Sequence, residues 1–127
     1  MYDTQLEIGP TSKKDMLTLL TYLFKNNKRR EFIHLFYAGH GCKSTGDWAT
    51  SDGLHVSLED IIEIIRNYTP QGRVIIEMDS CYSGCWCDRL LEMERQGSID
   101  PLKIRVVAHC AKDKSADFGS YHHFWQS

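Results

Sequence analysis

Three short apolar runs, FIHLFYA (32–38), RVIIEMD (73–79) and KIRVVAHC (103–110), are separated by stretches whose apolar residues repeat at helical spacing. Continuous apolar runs of this length suit strands buried on both faces, and strands that alternate with amphipathic helices argue for a parallel sheet, an α/β fold. The helical patterns are legible one by one. TSKKDMLTLLTYLFKNN (11–27) places Met16, Leu19, Leu20, Leu23 and Phe24 on one face, behind Ser12 and Asp15 in the spacing of a capping box. Ser57 and Asp60 open a second helix with Leu58, Ile61, Ile62 and Ile65 as its apolar face, and Asn67 and Pro70 are its stop signals. CDRLLEMERQ (87–96) reads as a third helix, broken at Gly97 and Pro101. CKSTGDWATSDG (42–53) is polar, punctuated by glycine, and reads as a surface loop.

In a parallel α/β sheet, functional groups collect beyond the carboxyl ends of the strands. The first run ends in Gly39-His40-Gly41 and the second in Asp79-Ser80-Cys81. One right-handed helical crossover between neighbouring strands would put both tips on the same edge, with His40 facing Cys81. A thiol of pKa ~8.5 is mostly protonated at neutral pH, and an adjacent imidazole can take its proton and later return it to a leaving amine. Gly39 and Gly41 are expected to permit the tight turn that presents the imidazole. The Gly41 and Cys81 N–H groups are expected to polarise the attacked carbonyl as an oxyanion hole.

FIHLFYAGHG followed by VIIEMDSCYSG resembles the histidine and cysteine motifs of the caspase-like cysteine peptidases. The Asp-Ser-Cys is closer to metacaspases than to true caspases, which have Gln-Ala-Cys. SDGLHVSLEDIIEII and IRVVAHCAKDKSADF resemble the segments before and after the nucleophile, and GSYHHFW resembles the start of the helix beyond; the likeness covers roughly residues 8 to 125. It implies a caspase-like three-layer sandwich, a mainly parallel sheet flanked by helices, with residues 1–127 forming a single partial peptidase domain. Against that pattern the chain looks truncated at both ends: it starts at what resembles the second strand, TQLEI, and stops where a final helix and edge strand would follow. A second copy or another chain completing the sheet is the corresponding expectation.

The resemblance implies a cysteine endopeptidase, a type of enzyme associated with programmed cell death. His40 would be the acid/base, Cys81 the nucleophile, and Gly41 and Cys81 the oxyanion donors. Asp79 matches the acid that binds a basic residue before the cut, so cleavage after Arg or Lys of a protein or peptide substrate is expected. Asp79 is expected to be partly buried, and a partly buried carboxylate also prefers Arg or Lys as partner on physical grounds. The competing role for Asp79 is to cap its turn by bonding to backbone. Asp113 lies where the family often has further pocket residues. The alternative reading is a caspase-like scaffold that no longer cuts and serves as a regulatory partner.

Other classes are disfavoured by the residues themselves. Net charge is −2 over 127 residues and KNNKRR (25–30) is the densest basic stretch; at a helix end it reads as a complement to the helix dipole, so no nucleic acid is expected. No apolar run is long enough for a membrane span and MYDTQLEIGP lacks signal-peptide character, so the expected compartment is the cytosol, with the nucleus the alternative, and the five cysteines are expected as thiols. Cys81, Cys85, Cys87 and Cys110 with His109, His122 and His123 supply zinc-type ligands, but there is no Cys-x-x-Cys and no metal is predicted. Calcium dependence is common among metacaspases. Asp47, Asp52, Glu59 and Asp60 form no recognisable cage, so calcium has no support from the residues and no cofactor is predicted.

Overall fold

A computed structural model of the chain describes residues 11–68, 72–98, 103–110 and the backbone of 124–125. Helix α1 (Lys13–Asn26) is followed by strand β1 (Phe32–Gly39), the short strands β2 (Trp48–Ala49) and β3 (His55–Val56), and helix α2 (Leu58–Tyr68). Strand β4 (Arg73–Ser80), helix α3 (Gly84–Gln96), strand β5 (Ile104–Ala108) and strand β6 (Phe124–Trp125) complete the order. The main sheet runs β1-β4-β5-β6, with β1, β4 and β5 mutually parallel and β6 antiparallel to β5.

Local chemistry sets the helix starts. The Ser12 hydroxyl accepts the Asp15 N–H (3.1 Å) at the head of α1. At α2 the box is reciprocal: Ser57 Oγ accepts from the Asp60 N–H (3.1 Å), and Asp60 Oδ2 accepts from the Ser57 N–H (3.0 Å). Such caps typically contribute about 1 kcal/mol each. Glu59 of α2 pairs with Arg89 of α3, tying the two helices across their exposed sides.

The hydrophobic core lies on one face of the sheet. Ile33 and Leu35 of β1, Val74, Ile76 and Met78 of β4, and Ile104, Val106 and Ala108 of β5 stand in register there. Met16, Leu20, Leu23 and Phe24 of α1, the apolar stripe of α2, and Trp86 and Leu90 of α3 pack onto them. The strands advance in one direction, β1 to β4 to β5, and right-handed crossovers then deliver α2 and α3 to the same side. The expected coverage of both faces is therefore not what the described residues form. On the other face Phe32 (40% exposed) and Phe36 (46%) face solvent, and a Glu77 carboxylate joins His34 and His109 (2.9 and 2.7 Å) across the strands.

Several further expectations are corrected. The 42–53 segment is no plain loop, because Trp48 and Val56 pair across β2 and β3 and both are buried. Helix α3 starts at Gly84, three residues earlier than its apolar pattern suggests, which buries Trp86 completely. Phe124–Trp125, read as the start of a helix, is an antiparallel strand beside β5. The expected strand TQLEI and the helix-stopping Pro70 fall outside the described residues.

Candidate active site

Strands β1 and β4 bring the two motifs together. Gly39 pairs with Ser80 at the last step of their parallel ladder, so His40 and Cys81 each stand one residue beyond adjacent strand ends. The contact is closest at Gly41, where a Cβ would lie 1.9 Å from the Cys81 carbonyl oxygen, an impossible separation. A Cβ on Gly39 would lie 2.8 Å from the Tyr37 hydroxyl. Neither glycine has a positive φ. The expectation that they supply a tight turn is thus replaced by a steric one: the glycines let His40 sit between the Tyr37 ring and the Cys81 backbone.

Tyr37 is the residue that sequence reasoning missed. Its hydroxyl donates to the His40 carbonyl (2.7 Å), which also accepts the Ala49 N–H (3.1 Å). The Tyr37 ring stacks on Trp48 (centroids 4.5 Å apart, planes 4° apart), and Trp48 stacks on Trp86 (5.1 Å, 15°). Trp48 Nε1–H points to Met78 Sδ (2.9 Å) and Trp86 Nε1–H donates to Asp47 (3.2 Å). This column of three rings runs from the His40 turn through β2 to the head of α3, so the histidine backbone is held by packed core and not by a free loop. Only the alternation of Tyr37 with Leu35 and Ile33 hinted at an inward ring; nothing in the polar 42–53 stretch signalled Trp48 as its partner.

The Cys81 side is equally fixed. Tyr82 adopts a left-handed backbone (φ 59°), the sharp bend that turns β4 into α3. Buried Ser83 donates its hydroxyl to the Cys110 carbonyl (3.2 Å), and the Gly84 N–H donates to the same oxygen (2.9 Å). Cys81 is half-buried and His40 exposed, so the pair opens to solvent at the sheet edge. Cys42 N–H donates to the Asp47 carbonyl and Ala49 N–H to the His40 carbonyl, leaving the Gly41 N–H between them without an acceptor among the described residues.

Electrostatics separate the thiols and the phenol. Burial, with smaller contributions from the nearby Cys42 and Cys81 sulfurs, pushes the Tyr37 hydroxyl up to about 12, so it remains a donor to His40 across the physiological range. Burial first, then the Asp47 carboxylate, raises Cys42 and keeps it a thiol. Burial pushes Cys87 up to about 12; it sits in the core with its Sγ toward the Val106 carbonyl. All five cysteines carry thiols.

Other predicted positions fall as follows. Asp79 pairs with Ala38 one step before the end of the β1–β4 ladder and is exposed, not partly buried, because it points to the sheet face opposite that of buried Ser80. Asp113 lies outside the described residues, as do His122 and His123. The acids weighed for calcium have protein partners. Asp47 bonds Trp86, Asp52 bonds Thr50, Glu59 pairs with Arg89 and Asp60 with Lys13. Among the described residues, no group of three His, Cys, Asp or Glu side chains is arranged to hold a metal ion. No described helix is long and apolar enough to cross a membrane. No protein-family model matches the chain, and no curated protein matches it.

Proposed function

We propose that the chain is a cysteine endopeptidase domain of the caspase-like type that cuts after Arg or Lys. The observation that carries this reading is the meeting of Gly41 with the Cys81 carbonyl at neighbouring parallel strand ends, which puts the His40 and Cys81 backbones side by side. In the reaction, the Cys81 thiol gives its proton to His40 and the sulfur attacks the peptide carbonyl carbon. The Gly41 and Cys81 N–H groups receive the charge that develops on the carbonyl oxygen. Protonated His40 then gives its proton to the departing amine, leaving a thioester on Cys81. Water, deprotonated by His40, attacks that thioester and releases the carboxylic acid and the thiol. Asp79, exposed two residues before the nucleophile, would attract the cationic side chain preceding the cut.

The test is hydrolysis of short fluorogenic peptides ending in Arg, Lys or Asp, by wild type, Cys81→Ala and Asp79→Ala. Cutting after Arg or Lys that vanishes in Cys81→Ala and falls in Asp79→Ala is the expected outcome. Cutting after Asp would keep the peptidase and remove Asp79 from the pocket. The sheet face that the described helices leave uncovered, with Phe32 and Phe36 exposed, favours a second reading as a scaffold that binds a partner chain. No turnover by a folded sample, with or without calcium, would leave that reading in place of the enzyme.

A further inference from the structure

The amino-terminal edge of the sheet has a charge opposite to that of the whole chain. A cavity of about 400 Å³ lies there, lined by Arg29, Arg30, Glu31, Phe32, Arg73 and Lys103 among others. Three strand starts converge on it: Arg73 N–H donates to the Glu31 carbonyl (2.9 Å), and Val74 N–H to the Lys103 carbonyl (2.8 Å). This pairing gathers around one space the cations just before β1 and β5 and at the first residue of β4, although they are far apart in the chain. KNNKRR was expected to complement the α1 dipole, but only Lys25 belongs to the last turn; Arg29 and Arg30 lie beyond it, at the cavity.

Among the described residues, Arg29, Arg73 and Lys103 form no ion pair, and Glu31, the one acid of the lining, pairs with none of them. Mutual repulsion of three such groups is unfavourable, and a multiply charged anion relieves it. Two guanidinium forks and an ammonium suit the oxygens of phosphate groups, and the cavity volume falls in the range of small-ligand sites. The eight residues of β4 separate this edge from Cys81 by about 26 Å.

We infer that the amino-terminal edge of the sheet binds a small anion bearing two or more phosphate-type charges, through Arg29, Arg73 and Lys103. The site is independent of the peptidase reading and stands or falls without it.

The probe is pyrophosphate, titrated into isotope-labelled protein and followed by amide shifts and calorimetry at about 50 and 200 mM salt. Saturable binding is expected, with shifts at residues 29–32, 72–74 and 103 and with affinity falling as salt rises. Arg73→Gln and Arg29→Gln, each checked for an unchanged melting temperature, should each weaken binding about tenfold, whereas Lys14→Gln on α1 should leave it unchanged. A parallel titration with ATP identifies the source. Tighter binding than pyrophosphate indicates a nucleotide, and equal binding the bare diphosphate. Absence of saturation at low salt, or equal weakening by Lys14→Gln, would overturn the assignment.

Discussion

Gly41→Ala is the perturbation with the most calculable consequence. The added methyl would sit 1.9 Å from the Cys81 carbonyl oxygen and 3.0 Å from its carbon. Contacts of this kind do not occur below 3.0 Å, so the two backbones must part by about 1.1 Å. The obstacle is main chain on both sides, so no side-chain rotation relieves it. Overpacking of this kind costs about 2–3 kcal/mol. If the peptidase reading holds, a 1 Å separation of base from nucleophile lowers turnover by about a hundredfold. Urea denaturation of wild type and variant measures the first quantity, and turnover of an Arg-terminated peptide the second. The stability arm needs no enzymatic activity: a Gly41→Ala protein as stable as wild type would mean that His40–Gly41 and Cys81 are not packed as described. Equal stability loss with wild-type turnover would mean that the pair is packed but does not catalyse.

Tyr37→Phe removes the hydroxyl that holds the His40 carbonyl and should cost about 1 kcal/mol of stability. In ultraviolet titration it should also abolish a tyrosine transition near 12. Because the folded Tyr37 value lies above the ordinary 10.0, its contribution is complete below pH 10 and is lost as pH rises toward 12, a decline that Tyr37→Phe should lack. Glu77→Ala removes the carboxylate that joins His34 to His109 across the sheet and should lower stability by about 1 kcal/mol, discounted for partial exposure; Glu77→Gln should cost less, and an Ala variant equal to wild type would refute the tie. In native protein at pH 8, alkylation followed by mass mapping should leave Cys87 unmodified while Cys81 reacts, and equal rates would contradict the burial assigned to Cys87.

What the sequence determined by itself is the set of elements and their direction. Apolar runs at 32–38, 73–79 and 103–110, with Ser12 and Ser57 as caps, were enough to predict parallel strands separated by helices. The same pattern placed Gly39-His40-Gly41 and Asp79-Ser80-Cys81 at the ends of neighbouring strands, because a crossover connection leaves little freedom. Tertiary structure decided what holds those ends. Tyr37, Trp48 and Trp86 are separated in sequence and carry no shared periodicity, so their stacking emerges only when β2 and the head of α3 meet under β1. The reason for glycine on both sides of His40 is likewise a contact with residues elsewhere in the chain, which no local rule reports. The placement of the helices also depends on strand order. Had the sheet reversed direction after β4, α2 and α3 would lie on opposite faces; because it advances one way, they share one. Exposed Phe32 and Phe36, the His34–Glu77–His109 tie and the ring of cations at the opposite edge all follow from that order.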